Sequence, residues 1–399
     1  MRSIESQVLM RVSAAHLLAF SLALLPWIAG PAPADPPLHR RVLIISVDGT
    51  RPDSLEAANT PNLDALRDGA AFSMEAQTGD VPISGPSYSS MFTGVWRDKH
   101  GVHDNDFDGA QFDLYPIFFC RLKAVDPAFV TQSIVRWAPL DPNLIRCADY
   151  HTAPSTDAIA AEQAVNLLNT TDPDALFVHF EDPDTAGHKY TFSPTSAGYL
   201  AAIEATDARV GSILGALRAR PNFALEDWLI FAISDHGGSG TDHHADTPEN
   251  RTIFMILNGS AVVPGEIDPP PGIVDVAATA MVFLGLTIDP AWSLDGQVIG
   301  LSTEPESLQR PADCNQDGLL DISDAVCLLG LLFLADGDLP CGDGTFSGPN
   351  VTLLDSNGDG DVDISDPVYV LVSLFAGGLP PVLGMDCVSV PGCPSVCVR

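Results

Sequence analysis

Residues 41–48, RVLIISVD, form an unbroken apolar run that ends in a single carboxylate. Two further runs have the same form, ALFVHFEDPD at 175–184 and DWLIFAISDH at 227–236. Runs that are continuously apolar and rich in β-forming residues are typical of parallel strands buried between helices. The pattern therefore predicts an α/β domain from residue 40 to residue 303, with a mostly parallel sheet flanked by helices.

The segments between these strands differ in their periodicity. Residues 196–217 predict a helix before the third run, and residues 269–286 predict a late helix after a proline-rich approach. The stretch 106–151 has no clear pattern, and we expect it to form an irregular cap over the site. Because ligands bind at the carboxyl ends of strands in open parallel sheets, the polar residues that end the three runs should meet in one crevice.

The N-terminal 34 residues predict export. A basic start, the apolar run AAHLLAFSLALLPWIAG and small residues at Ala32 and Ala34 are the pattern of a cleaved signal peptide. A signal anchor is the alternative, but His16 and Pro26 leave the run shorter than the ~20 apolar residues that a span needs. No later segment predicts a transmembrane span, so we expect a secreted, periplasmic or cell-surface protein.

Charge and cysteine content narrow the class of protein. The formal net charge of -33 argues against a nucleic-acid surface, because binding there depends on Lys and Arg that neutralise phosphates. If the substrate is anionic, bound cations are the natural means of reversing the protein's negative electrostatic potential at the site. All eight cysteines follow the predicted signal peptide, and an even number in an exported chain predicts disulfides, whose pairing the sequence leaves open.

Carboxylates and imidazoles cluster directly after the predicted strands. The candidate metal ligands are Asp48, Asp184, His188, Asp235, His236 and, farther on, either His243 or His244. Imidazole with carboxylate suits zinc, and carboxylate-rich sites also accept manganese or calcium. Any one of these groups alone is equally well explained as a loop residue or a strand-end cap. Because all the clusters follow strands, together they predict a divalent metal site.

The stretch VPISGPSYSSMFTG at 81–94 supplies a candidate nucleophile. Pro86 suits the first turn of a helix, which places Ser84 at the helix N-terminus. Free amides and the helix dipole there favour an anionic oxygen and a bound phosphate or sulfate. A plain N-cap is the alternative role for Ser84, and the metal clusters favour the nucleophile.

These motifs follow the order and local spacing of one family. Residues 41–260 resemble the alkaline phosphatase superfamily, and within it the type I phosphodiesterase/nucleotide pyrophosphatase branch, through VDGTRPD, the Ser84 motif running to FTG, KHGVHDN, DPDTAGHKY and SDHGG. The resemblance implies an alkaline-phosphatase-like fold and two divalent metals, with zinc expected and manganese as the alternative. It implies one metal on Asp48, Ser84, Asp235 and His236, and a second on Asp184, His188 and His243, with His244 as the alternative to His243.

The resemblance also implies the reaction, which is hydrolysis of small phosphate esters, either diesters and pyrophosphates or monoesters. Ser84 would attack phosphorus in line and form a seryl-phosphate intermediate, which water then hydrolyses. Asn105 matches the family residue that donates to a phosphoryl oxygen, and the Gly85 amide could assist it.

Departures from the family pattern keep other functions open. Pyrophosphatases of this branch commonly have threonine followed by an aromatic residue where this chain has Ser84 and Gly85, which puts nucleotide preference in doubt. A sulfatase-like enzyme is one alternative because SGPSY resembles the sulfatase nucleophile pattern. Tyr88 in place of that pattern's arginine, together with the second set of metal ligands, favours phosphate. An inactive scaffold or adhesion protein is the other alternative, although no predicted ligand is missing.

After a predicted linker at 304–311, a duplication occupies the segment 312–380. DCNQDGLLDISD and DSNGDGDVDISD each place oxygen ligands at positions 1, 3, 5, 9 and 12 of a calcium loop. The candidate calcium ligands are Asp313, Asn315, Asp317, Asp321 and Asp324 in the first copy and Asp355, Asn357, Asp359, Asp363 and Asp366 in the second.

Aspartate at the last loop position and one helix after each loop resemble the type I dockerin domain. That resemblance implies docking to a cohesin-like partner or a cell-surface scaffold. A calcium-stabilised domain without a partner is the alternative. The cysteine-rich tail at 381–399 favours disulfide reinforcement of this small domain.

Overall fold

The structure is a computed structural model that describes residues 38–302, 308–334, 337–342, 344–390 and 392–397. The predicted signal peptide and residues 304–307 of the predicted linker lie outside the described residues. Within the described ranges, no helix combines the length and the apolar character that crossing a bilayer requires.

Most strands belong to one sheet. The strands are β1 (His39–Val47), β2 (Ala71–Gln77), β3 (Thr131–Val135), β4 (Tyr150–Thr152), β5 (Ala175–Phe180), β6 (Glu226–Ile233), β7 (Thr252–Asn258), β8 (Gly265–Glu266), β9 (Leu308–Gln309) and β10 (Val388–Ser389). The first eight form a sheet of order β4-β3-β5-β1-β6-β7-β2-β8. Within it, β7 runs antiparallel to both β6 and β2, and the other neighbours are parallel. The predicted mostly parallel sheet is confirmed.

Helices connect the strands and complete the C-terminal part. They are α1 (Pro52–Ala57), α2 (Pro61–Arg67), α3 (Ser84–Thr93), α4 (Arg97–His100), α5 (Phe118–Val125), α6 (Leu140–Asn143), α7 (Asp157–Thr170), α8 (Asp182–Tyr190), α9 (Ala197–Arg218), α10 (Pro248–Arg251), α11 (Asp275–Phe283), α12 (Ile322–Leu334), α13 (Pro349–Leu354) and α14 (Ser365–Ala376). Two short 3-10 turns lie at Phe223–Leu225 and Pro290–Trp292. The predicted helices at 196–217 and 269–286 correspond to α9 and to the shorter α11.

The two faces of the sheet bury separate cores because side chains alternate along a strand. In β1, Val42 and Ile44 pack into a core that includes residues of α3, α5 and α11. Leu43 and Ile45 point the other way, into a core that includes residues of α2, α7 and α9. The unbroken apolar run of β1 is therefore required by helices on both sides of the sheet.

The prediction of an irregular cap over 106–151 is wrong. This stretch contains α5 and β3 and reaches into β4, and these two strands extend the sheet beyond β5. All residues of β3 are buried, yet its sequence, TQSIV, contains three polar side chains that hide the strand pattern. Pairing with β5, a tertiary interaction, is what makes this segment a strand.

The C-terminal part has small cores built around helices and disulfides. A short antiparallel pair, β9 with β10, joins its beginning to its end. Ala312, Ala325 and Val370 form one buried cluster, which packs α12 against α14. The disulfides, whose pairing the sequence left open, are Cys120–Cys147, Cys314–Cys327, Cys341–Cys393 and Cys387–Cys397, and only the first lies in the larger part of the chain.

Candidate active site

The ends of two neighbouring strands place the first carboxylates of the site. Residue 46 of β1 pairs with residue 233 of β6, so Asp48 and Asp235 leave the sheet at the same edge. Both side chains are buried. The Gly49 amide donates to Asp235 Oδ1 over 3.1 Å, which fixes one oxygen of that carboxylate.

A third carboxylate comes from α8. The strand β5 ends at Phe180 and α8 begins at Asp182, so Asp184 lies in the first helical turn instead of on a strand end. It approaches the backbone after β1 closely, because a Cβ built on Gly49 would lie 2.7 Å from Asp184 Oδ1. Gly49 also has a φ of +63°, a conformation that favours glycine. Glycine is therefore required at position 49 both by the left-handed backbone conformation and by the close contact with Asp184.

Three histidines bond to the backbone through the same ring nitrogen, Nδ1. The Nδ1–H groups of His236, His243 and His188 donate to the carbonyl oxygens of Gly237, Pro82 and Thr241 over 2.8, 2.9 and 2.8 Å. A carbonyl oxygen only accepts, so Nδ1 carries a proton in each ring and Nε2 is the nitrogen that can bind a cation. Burial lowers the pKa of both His236 and His243 to about 3, which keeps these two rings neutral.

The carboxylates also present unpaired oxygens. Asp48 Oδ1, Asp184 Oδ1 and Asp235 Oδ2 are buried and have no hydrogen-bond partner among the described residues. Asp48 Oδ1 and Asp235 Oδ2 each lie 3.4 Å from His236 Nε2, and Asp184 Oδ1 lies 3.7 Å from His243 Nε2. Burial is the largest cause that raises the pKa of all three carboxyl groups, to about 6 for Asp235.

Burying hydrogen-bond acceptors that face one another costs free energy unless a cation lies between them. The described residues form two sets whose ligand atoms all lie within 4.8 Å of one another, Asp48 with Asp235 and His236, and Asp184 with His236 and His243. His236 belongs to both sets. Carboxylate oxygens with imidazole nitrogens suit a first-row divalent metal, so this donor set fits the metal that the sequence predicted.

The remaining predicted ligands differ in solvent exposure. His188 is at the edge of the site, with Nε2 3.4 Å from Asp184 Oδ2 and 40% of its side chain exposed. His244 is 65% exposed and pairs with Asp242, whereas His243 is buried beside His236 with 3.8 Å between their ring centroids. The geometry therefore favours His243 over His244.

The candidate nucleophile lies beside this cluster. Ser84 is the first residue of α3, as its Gly-Pro sequence predicted. Its hydroxyl lies 3.4 Å from His236 Nε2, and its side chain is nearly buried. The placement brings the Ser84 hydroxyl next to the histidine that belongs to both ligand sets.

Asn105 is held next to Ser84 by the backbone. The Gly85 N–H donates to Asn105 Oδ1 over 2.8 Å. Since Oδ1 is the acceptor, the Nδ2 group of Asn105 is the half of the amide left to donate. The Gly85 amide, expected to assist at the substrate, is instead used to orient Asn105.

His179 and Tyr88 belong to the site but were not predicted as site residues. His179 Nε2 lies 2.9 Å from Asp48 Oδ2, and the Tyr88 hydroxyl lies 3.4 Å from the same oxygen. The sequence carried one signal, which is a histidine inside the apolar strand ALFVHF. An isolated polar residue in a buried strand needs a partner.

With this geometry in place, comparison with known proteins identifies the family. The profile of the type I phosphodiesterase / nucleotide pyrophosphatase family matches residues 42–132 and 145–255, just over half of the chain. The chain belongs to the type I phosphodiesterase/nucleotide pyrophosphatase family. The matched segments contain every predicted metal ligand of the larger domain as well as Ser84 and Asn105.

Curated relatives support this assignment over part of their length. Ectonucleotide pyrophosphatase/phosphodiesterase family member 3 of Bos taurus is 24% identical over 220 residues, which are 49% of this chain and 24% of the relative. An uncharacterized pyrophosphatase/phosphodiesterase of Schizosaccharomyces pombe is 26% identical over 55% of this chain and 48% of the relative. The chain therefore aligns with between a quarter and a half of these relatives. Their names describe phosphoric ester hydrolases, as predicted.

Solved structures share the fold. Murine ectonucleotide pyrophosphatase/phosphodiesterase 5 superposes with a TM-score of 0.51 at 14% identity, covering 62% of this chain and 96% of that protein. BT1596, a 2-O glycosaminoglycan sulfatase, superposes with a TM-score of 0.54 at 14% identity, covering 68% of this chain and 77% of that protein. The fold is thus common to phosphodiesterases and sulfatases, so it does not distinguish these two activities.

Proposed function

We propose that this family member is an exported, metal-dependent hydrolase of phosphate esters, with Ser84 as its nucleophile. The observation that carries the proposal is the Ser84 hydroxyl, which lies 3.4 Å from His236 Nε2. The same nitrogen lies 3.4 Å from each of two unpaired carboxylate oxygens, Asp48 Oδ1 and Asp235 Oδ2. Extracellular function is supported by the predicted signal peptide and by the disulfides.

The chain's own residues account for attack and charge stabilisation. Ser84 Oγ forms a bond to phosphorus as the ester oxygen leaves, and water then cleaves the phosphorus–Oγ bond to restore the hydroxyl. Asn105 Nδ2 donates to a phosphoryl oxygen, and its orientation is preset by the Gly85 amide. The N-terminus of α3 favours the negative charge of the phosphoryl group.

Two divalent metals, zinc or alternatively manganese, are proposed to bind here. Asp48, Ser84, Asp235 and His236 would hold one, and Asp184, His188 and His243 would hold the other. His236 also lies within 4.8 Å of the ligand atoms of Asp184 and His243. Bound cations would lower the pKa of the Ser84 hydroxyl and neutralise charge on the phosphoryl oxygens.

The test compares three chromogenic esters, which are bis-p-nitrophenyl phosphate, p-nitrophenyl phosphate and p-nitrophenyl sulfate. The full chain is supplied with Zn²⁺ or Mn²⁺ beside a Ser84→Ala variant, and Ser90→Ala on the same helix is the matched control. We expect phosphate ester turnover that is lost in Ser84→Ala and retained in Ser90→Ala. Faster sulfate turnover would favour the sulfatase alternative, and no turnover of any ester would favour the inactive scaffold.

For the C-terminal part we propose a calcium-binding, dockerin-like module. Asp313 and Asp355, which open the two loops, each accept backbone N–H groups from the residues four and five positions later, at 3.2 and 2.8 Å. Asp324 and Asp366 close the loops, and each also accepts from the loop's second residue. The two copies therefore share one loop conformation, arranged around carboxylates of the type that Ca²⁺ prefers.

An exposed apolar surface supports the proposed cohesin-like partner. On α12, Ile322, Val326 and Phe333 are 54%, 62% and 63% exposed. Their duplicates are Ile364, which caps the N-terminus of α14, and Val368 and Phe375 within it, and these are 54%, 50% and 68% exposed. Exposed apolar positions that repeat at the same spacing are typical of a docking surface. We expect calcium-dependent binding of a purified cohesin that is lost in Val326→Asp with Val368→Asp. Calcium stabilisation without cohesin binding would favour the partner-free domain.

A further inference from the structure

His179 is a buried histidine whose proton position is fixed by its surroundings. Its Nδ1 accepts the backbone N–H groups of Arg136 and Trp137 at 3.1 and 3.3 Å. The proton is therefore on Nε2, which donates to Asp48 Oδ2 over 2.9 Å.

Tyr88 is aimed at the same oxygen. Its hydroxyl lies 2.8 Å from Ser46 Oγ and 3.4 Å from Asp48 Oδ2. Its ring meets the His179 ring edge to face, with 5.2 Å between centroids, and both side chains are fully buried. Packing thus fixes the two donors against one side of the Asp48 carboxylate.

The two oxygens of Asp48 are consequently inequivalent. Oδ2 accepts hydrogen bonds from His179 Nε2–H and the Tyr88 hydroxyl. Oδ1 has no hydrogen-bond partner among the described residues and lies 3.4 Å from His236 Nε2. A carboxylate held in this way offers a single oxygen to a cation. Small first-row cations tolerate one-oxygen carboxylate ligation, whereas Ca²⁺ commonly takes both oxygens.

We propose that His179, assisted by Tyr88, is a positioning residue that makes Asp48 a one-oxygen ligand and thereby strengthens binding of Zn²⁺ at the Ser84 site. The inference rests on the proposed metal site but not on the identity of the ester that is cleaved. Outer-shell hydrogen bonds of this type typically account for about 10- to 100-fold in metal affinity. A purely structural histidine would accept from the amides of Arg136 and Trp137, which follow β3, and have no effect on the metal.

The test measures Zn²⁺ affinity of the full chain by competition with a chromophoric chelator, with the thermal midpoint of the metal-free protein recorded beside it. We expect His179→Leu to weaken Zn²⁺ binding about 10- to 100-fold. His179→Gln, which can donate to Asp48 through its amide, should recover most of that affinity. Tyr88→Phe should give a smaller loss because its contact is longer.

His100→Leu is the matched control. His100 is also buried, but it bonds Ser90 Oγ at 3.0 Å and contacts no candidate metal ligand. We expect it to lower the thermal midpoint and leave Zn²⁺ affinity unchanged. If His179→Leu fails to fold, the decision passes to Tyr88→Phe, and an unchanged Zn²⁺ affinity in that variant would overturn the inference.

The outcomes separate this inference from the proposed function. Equal Zn²⁺ affinity in the wild type and a folded His179→Leu would reject the positioning role while leaving ester hydrolysis intact. A wild type whose Zn²⁺ affinity depends on His179 as expected but which cleaves no phosphate ester would reject the proposed function alone. A wild type that binds no Zn²⁺ would reject the positioning role as well.

Discussion

The Gly85 amide donates to Asn105 Oδ1 over 2.8 Å, and the two residues pack so closely that a Cβ at position 85 would meet the loop. That Cβ would lie 2.5 Å from the Asp104 carbonyl oxygen and 2.9 Å from Asn105 Oδ1. The glycine that follows the proposed nucleophile, Ser84, is thus explained by the Asn105 loop. An aromatic side chain, as in many relatives of this branch, has no room here.

Gly85→Ala should displace Asn105 and lower phosphoester turnover. We expect kcat to fall by about tenfold to a hundredfold. The loss of one hydrogen-bond donor to the transition state typically lowers kcat by at least this factor. Steady-state kinetics on the better p-nitrophenyl phosphate ester provide the measurement. Gly79→Ala is the control, because its Cβ would meet only Trp96 at 3.8 Å. Equal kcat in the two variants would show that Asn105 placement does not depend on Gly85.

Gly49→Ala should damage the metal site more than it damages the fold. The left-handed φ of +63° costs alanine about 1 kcal/mol, and the new Cβ would also press on Asp184 Oδ1 at 2.7 Å. We expect Zn²⁺ affinity to fall by at least tenfold in a chelator competition. Gly69→Ala has a similar φ of +73° and nothing within 4 Å of its Cβ, so it should lose stability alone. The idea fails if both variants bind Zn²⁺ as the wild type does.

His100 should make the fold sensitive to mild acid. Burial is the largest cause that lowers its pKa, to about 4 from 6.5, so the unfolded chain binds more protons between these values. The stabilising contribution is complete above pH 6.5 and is lost as the pH falls toward 4, by roughly 3 kcal/mol at most. Denaturant unfolding at pH 7 and pH 4.5 should show a smaller loss for His100→Gln than for the wild type. Identical losses would contradict this role of His100.

Calcium removal should affect the two loops of the C-terminal part unequally. Cys314–Cys327 links the first loop to α12, whereas the duplicate positions in the second loop are Ser356 and Tyr369. The disulfide restricts the first loop even without calcium, so chelation with EGTA should raise amide hydrogen exchange mainly at 355–366. Reduction of the disulfides should make residues 313–324 exchange as quickly. Equal exchange in both loops before reduction would contradict the prediction.

Some features were determined by the sequence alone. The apolar runs that become β1, β5 and β6 predicted a mostly parallel sheet. Strands that are buried on both faces are apolar at nearly every position, so the sequence pattern is distinctive. Ordered motifs predicted the family, since each motif carries a residue type that its chemistry needs. The helix start at Ser84 followed from Pro86, whose fixed φ suits a first turn.

Tertiary structure decided the rest, because it depends on contacts between residues far apart in the chain. The polar sequence of β3 becomes a strand only through its pairing with β5, and the position of Asp184 was set by the change from strand to helix after Phe180. The sequence favoured His243 and kept His244 as its alternative, and burial of His243 against His236 distinguishes the two. The hydrogen bond from His179 to Asp48 spans 131 residues, and no local pattern encodes a contact made across neighbouring strands.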